Sequence, residues 1–328
     1  MRTLLILSLL LSAPALSVRA ATPASSCGLA LAPGTVQVSV SSGGRTREFS
    51  MFVPKAYDGQ KRLPLIFDLH GAGGDGRVQS STSDFARTAE EHGFMVAWPD
   101  GGGVIFSEPY VARYWLIPGV PSIDDRPVPA DPPDERAFFA DAIDLLTSGY
   151  CVDARRVYVA GFSSGARMSS LLACTMADRI TAVAPVAGIR AGLHVAGDPS
   201  RPDPENCRPA RAIPVITFHG TNDGNIPYGG RKDGPRQDYG IEAAVNRWVE
   251  VNDCQKIPTV EQLGTYVERR RYTGCRDKVV VEFNRIDAPV VFGGGHVWPG
   301  SPLEHAQPIN ATERIWEFFS QYSLERKN

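Results

Sequence analysis

Apolar and polar positions alternate at the start of the chain. Thr35 to Val40 and Thr46 to Val53 read as strands, and Gly43-Gly44 between them predicts an antiparallel pair. Leu63 to Leu69 is different, a largely apolar run of the kind found where a strand is buried on both faces. Further strands are expected at Phe94 to Trp98, Val157 to Ala160, Ala182 to Val186, Ile213 to Phe218 and Val279 to Phe283. Helical spacing falls between them at Phe85 to His92, Glu135 to Leu146, Glu242 to Val251 and Ala311 to Tyr322, with another helix after Gly161-Phe162-Ser163. Strands alternating with helices predict an α/β fold with a mostly parallel central sheet covered on both faces. Gly101 to Pro133 and Gly188 to Pro209 break this rhythm and are rich in glycine and proline. Segments of such length are expected to wall a cleft or to be surface insertions.

The first residues change the picture of where the fold resides. A short basic start, the apolar run Leu4 to Leu11 and the small residues Val18 and Ala20 read as a signal peptide over residues 1–20. That leaves one catalytic-size domain over 21–328 and an exported protein, extracellular or periplasmic. No other stretch is apolar enough to span a membrane. A formal net charge of −2 gives no case for nucleic acid, although arginine far outnumbers lysine. The even set Cys27, Cys151, Cys174, Cys207, Cys254 and Cys275 lacks the close spacing of a zinc site and suits disulfides in an oxidising compartment. Cys254 with Cys275 is the first expected pair, closing a loop that contributes on the order of 3 kcal/mol. Cys174 with Cys207 and Cys27 with Cys151 follow. No metal or organic cofactor is implied, and the oligomeric state is not legible.

Chemistry enters at Gly161-Phe162-Ser163-Ser164-Gly165. This GxSxG lies between a strand and a helix, where a sharp turn exposes the serine and small neighbours let the two elements pack closely. Only Ser163 has glycine at both offsets, so it is the expected nucleophile. A serine hydroxyl needs a base, and in this arrangement the chain order is serine, acid, histidine. His70, His92 and His194 come too early. His70 and His219 each end a strand as His-Gly, where a structural hydrogen bond is expected. His305 stands just before the last helix. His296 follows the flexible Gly293-Gly294-Gly295 and is the expected base. Asp223, on the loop after the strand ending at Phe218, is the expected acid; Asp233 and Asp238 lie further into that loop. The oxyanion donors are expected to be the N–H of Ser164 and, from His70-Gly71-Ala72-Gly73-Gly74, that of Ala72, with Gly71 or Gly73 as alternatives.

With those residues in place, the chain resembles the secreted α/β-hydrolase esterases that include feruloyl esterases and poly(3-hydroxybutyrate) depolymerases. The likeness runs from about Gly34 to the C-terminus. It rests on Leu69-His70-Gly71, Arg156-Val157-Tyr158 leading into Gly161-Phe162-Ser163, His219-Gly220-Thr221 with Asp223, Ile226-Pro227-Tyr228, Gly295-His296 with Trp298-Pro299-Gly300, and the final Ala311-Thr312-Glu313 with Ile315-Trp316-Glu317-Phe318-Phe319. The resemblance implies the α/β-hydrolase fold and the same triad, acting on hydroxycinnamate esters or hydroxybutyrate oligomers. Arg167 departs from the pattern, and Ala288 to Phe292 is longer than usual. Trp298 and Arg167 are expected to touch substrate. The group also resembles enzymes that cut poly(aspartic acid), a reading that would use Arg113, Arg167, Arg190, Arg231 and Arg236. Acyl transfer by the same triad and a binding module without catalysis are the competing classes.

Overall fold

The computed structural model describes residues 27–107, 110–120, 130–233, 238–292, 294–303 and 308–325. The expected signal peptide lies outside them, as do Arg236, Gly293 and His305.

A ten-stranded sheet organises the described residues. Its strands are β1 (Gly34–Ser42), β2 (Arg45–Val53), β3 (Leu63–Leu69), β4 (Met95–Pro99), β5 (Val152–Phe162), β6 (Ala182–Val186), β7 (Val215–Gly220), β8 (Thr259–Leu263), β9 (Val267–Tyr272) and β10 (Val281–Ile286). In space they run β1-β2-β4-β3-β5-β6-β7-β10-β9-β8. From β4 to β10 each neighbouring pair is parallel. Antiparallel strands close both edges. This is the doubly covered parallel sheet that the alternating pattern predicts.

Two cores lie on opposite faces, and successive residues of one strand feed them in turn. Leu65, Phe67, Val157 and Val159 face α3 (Glu135–Gly149), α4 (Ser164–Thr175) and α5 (Ile241–Val251). Ile66, Tyr158, Ala160, Ile216 and Phe218 face α2 (Phe85–His92) and α6 (Ala311–Phe319). Helix starts are capped by short polar side chains. Asp134 accepts from the N–H groups of Arg136 and Ala137, and Asn310 accepts from that of Glu313.

The disulfides pair as expected: Cys27–Cys151, Cys174–Cys207 and Cys254–Cys275. They tie, in turn, the first described residue to the start of β5, the end of α4 to the loop after β6, and the end of α5 to the turn before β10. No helix among the described residues is long and apolar enough to cross a membrane.

Some elements were not expected. The helix α1 (Gly76–Ser83) buries Gly76, Gln79 and Ser83 and so carries no apolar stripe to announce it. The hairpin β8–β9 is rich in charge, and Arg269 and Arg271 pair with Glu261 and Glu282 across the strands. Within Gly101 to Pro133, Gly103–Ser107 and Tyr110–Tyr114 form an antiparallel hairpin. Within Gly188 to Pro209, His194–Val195 pairs with Asp198–Pro202.

Candidate active site

The parallel strands deliver the expected site residues to one end of the sheet, beyond their C-terminal ends, where open α/β sheets place ligands. Ser163 follows β5, Asp223 follows β7 and His296 lies after β10. Ser163 has φ 56° and ψ −112°, a conformation L-residues seldom adopt. Its N–H donates to the Val186 carbonyl at 2.9 Å, which holds the turn. The flanking glycines are required by close packing. A Cβ on Gly161 would lie 2.4 Å from the Gly165 carbonyl oxygen, and one on Gly165 2.2 Å from that of Leu69.

Asp223 is buried, and its Oδ2 lies 2.7 Å from His296 Nδ1. Its other oxygen accepts from the N–H groups of Asn225 and Ile226, both at 2.8 Å. Burial pushes this carboxyl up. The hydrogen bond and charge of His296 and the Ile226 N–H outweigh that push and leave it below the usual carboxylate range. An ionised Asp223 assigns the proton to Nδ1 and leaves His296 Nε2 as the lone-pair nitrogen.

Two further histidines stand under the site. His70 is buried, its Nδ1–H donates to the Gly71 carbonyl at 2.7 Å and its Nε2 accepts the Gly101 N–H at 2.9 Å. Burial pushes its pKa down, which keeps it neutral. His219 is pushed down to about 4, again chiefly by burial. Its Nε2 lies 3.0 Å from the Ile226 carbonyl and 3.4 Å from Asp223 Oδ2. Both make the structural hydrogen bonds expected of them, and each bond ties a loop at the site.

The pocket at this end has a volume of about 420 Å³. Ser163, Ser164, His296, Ala72, Gly71 and Arg167 all line it. The Gly73 N–H is taken by the Arg113 carbonyl at 2.8 Å, which leaves Ala72 and Gly71 as the donors available from that loop. The hairpin after Gly101 therefore backs the loop expected to supply the oxyanion donor. Trp115 adds to this support, its indole N–H donating to the His70 carbonyl at 2.9 Å. Val120 of the same segment lines the pocket, so this stretch walls the cleft there as expected and also buttresses the loop after β3.

Trp298 requires a correction. It is 1% exposed, its indole N–H donates to Thr312 Oγ1 at 2.9 Å, and it packs edge-on against Phe85. It belongs to the core under α2 and α6 and does not line the pocket. A tryptophan beside the expected base suggested substrate contact, but its apolar surface is already covered by the fold.

Of the other arginines, Arg231 lines the pocket, Arg190 is buried behind its wall, and Arg113 points to Asp100 in a separate cleft. Asp238, set aside as an acid, pairs instead with Arg167 at 2.8 Å and with Arg190 at 3.4 Å. Nothing in the sequence signalled that partnership, because Asp238 is far from both in the chain. Glu91, His92 and Glu313 bring ligand atoms within 4.8 Å of one another, outside the pocket lining.

No family model matches the chain. Feruloyl esterase B of Piromyces equi is 29% identical over 83% of this chain, which spans 44% of that longer protein. Feruloyl esterase D of Neurospora crassa is 27% identical over 98% of this chain and 97% of its own length. An acetyl xylan esterase from Aspergillus awamori superposes with a TM-score of 0.57 at 17% identity, covering 87% of this chain and 99% of the other. A thermostable esterase gives 0.55 at 17% identity over 88% of this chain and 63% of its own. The fold is the α/β-hydrolase fold, and the resemblance to feruloyl esterases extends over most of the chain.

Proposed function

We propose that this chain, a carboxylic ester hydrolase of the α/β-hydrolase fold, is an exported serine esterase working through an acyl-enzyme. Hydroxycinnamate esters are the leading substrates. The observation that carries the reading is the Asp223–His296 hydrogen bond of 2.7 Å, made behind the pocket that His296 lines together with Ser163 on its elbow.

Ser163 Oγ attacks the ester carbonyl while His296 Nε2 takes its proton, and Asp223 stabilises the imidazolium. The oxyanion accepts from the N–H groups of Ser164 and Ala72. Collapse expels the alcohol, which takes the proton back from His296. Water, deprotonated by the same nitrogen, then attacks the acyl-enzyme and frees the acid and Ser163. An alcohol in place of water would make the reaction acyl transfer. Every step uses side chains and backbone of this chain. The paired cysteines support export into an oxidising compartment.

Product release from methyl ferulate, hydroxybutyrate oligomers and poly(aspartic acid) tests the reading, with Ser163→Ala as control. Removing a serine nucleophile typically costs about 10⁶-fold in kcat. Full activity in the variant would overturn the mechanism, and cleavage of poly(aspartic acid) alone would move the chemistry from esters to amides.

A further inference from the structure

One wall of the pocket holds charge out of balance. Arg167, Arg231 and Asp238 line it, and Arg190 lies directly behind. A single oxygen, Asp238 Oδ2, meets both Arg167 Nη2 at 2.8 Å and Arg190 Nη1 at 3.4 Å. Arg190 is buried, and its Nη2 has no hydrogen-bond partner. Asp238 Oδ1 is also buried without one. Arg231 is exposed and makes a 3.4 Å contact to the Asn225 carbonyl. Two guanidinium groups thus share one carboxylate oxygen in the wall of this pocket, and a third, Arg231, stands exposed on the same lining.

Such an arrangement is costly without further acceptors. A buried guanidinium needs paired acceptors, and one carboxylate oxygen shared by two of them leaves donors uncompensated. Burial opposes the charge on Arg167, and Asp238 offsets only part of that. A neutral aryl or alkyl ester brings nothing to these groups. A carboxylate brings two acceptor oxygens, the fork geometry that arginine matches best.

The position sets the range. The Arg167 N–H donates to the Ser163 carbonyl at 3.2 Å, so Arg167 stands about one helical turn, about 6 Å of rise, beyond the nucleophile, and both line the pocket. An anion held there lies a few bonds from the carbonyl under attack.

Resting on the esterase reading above, we infer that the preferred substrate is an ester carrying a carboxylate near its scissile bond, bound by Arg167 and Arg231. Asp238 is the resident counter-ion that competes with it. Asp238 sits opposite Arg231 on the short ladder that forms this wall, so one hairpin carries both the attraction and the brake.

The test compares kcat/KM for charged and neutral partners of equal shape. Monomethyl glutarate against methyl glutaramate places the carboxylate on the acyl side. 3-Acetoxypropanoate against 3-acetoxypropanamide places it on the leaving side. At least one charged ester is expected to be preferred about ten- to a hundred-fold, the worth of a charge-assisted arginine pair. Arg167→Gln collapses that ratio toward one whatever its absolute rate. Asp238→Asn raises the ratio several-fold. High salt lowers it in the native enzyme, a result that needs no variant to fold. A ratio near one for both pairs, or a preference untouched by Arg167→Gln and by salt, overturns the inference. Neutral-ester hydrolysis that still depends on Ser163 would then leave the esterase reading standing.

Discussion

Strands β3 and β7 both run parallel in the middle of the sheet, and the residues at their ends read His-Gly. His70 and His219 are equally buried and neutral. Their duties differ. His70 uses both ring nitrogens, one to its own loop at Gly71 and one to a different loop at Gly101. His219 bonds only the Ile226 carbonyl, and its Nδ1 is buried without a partner. The loop after β3 is held as well by the Gly73 N–H to the Arg113 carbonyl and the Trp115 indole to the His70 carbonyl, as the proposed oxyanion role requires, since its N–H groups must be aimed before charge develops. The loop after β7 is held by the Asp223 carboxylate, through Asn225, Ile226 and His296, together with Asn222 donating to the Gly294 and Ala288 carbonyls. One loop is locked from beneath by its histidine, whereas the other is locked by the residue it presents.

The largest effect that would break this comparison falls on the acid loop. Asp223→Asn is expected to lower kcat about 10⁴-fold, the size seen when a triad acid loses its charge and the base takes the wrong tautomer. A loss below tenfold would mean that His296 is oriented by something else. The next effect separates the two anchors. His70→Ala is expected to lower kcat about 10²- to 10³-fold with little change in KM, equal to losing an oxyanion donor. His70→Gln, which can still accept the Gly101 N–H, recovers part of it. His219→Ala should cost about tenfold, because Asp223 keeps its two backbone donors. Equal losses at the two histidines, or a change in KM alone, would show that neither anchor acts through the loop it supports.

The difference between these regions also marks what could be read in the chain. Ser163, Asp223 and His296 were legible because strand, turn and chain order constrain them locally, and the structure brings Ser163 and His296 to one pocket with Asp223 buried behind His296. The two His-Gly anchors were legible for the same reason. The cationic wall was legible in part. Arg167, Arg190 and Arg231 were among the arginines read toward an anionic substrate, whereas Asp238, the partner of the first two, is joined to them by folding alone. Trp298 shows the opposite failure, since its place beside the base said nothing of its burial under α6. The helix α1 escaped notice because its buried side is polar, formed by Gln79 and Ser83 reaching Asp68.

That buried polar contact gives the smallest and most discriminating test. Asp68 accepts from Gln79 at 2.8 Å, Ser83 at 2.6 Å and Trp98 at 2.9 Å, two residues before His70. Burial nevertheless pushes its carboxyl up to about 7. The folded state therefore holds this proton more tightly than the unfolded chain, whose value is near 3.8. Its stabilising contribution is complete below that value and is lost as pH rises toward 7. His219 works with the opposite sign. Its folded value of about 4 lies below the unfolded 6.5, so its contribution is complete above 6.5 and is lost as pH falls toward 4. Thermal melting between pH 4.5 and 8 is expected to show the two slopes directly, each Tm being compared with that of the native protein at the same pH. Asp68→Asn gains on the native protein as pH rises, whereas His219→Asn gains as pH falls, by about a few degrees in each case. Two Tm differences that run flat across this range would mean that neither strand end carries a perturbed group, and the contrast between the two anchors would reduce to their hydrogen bonds.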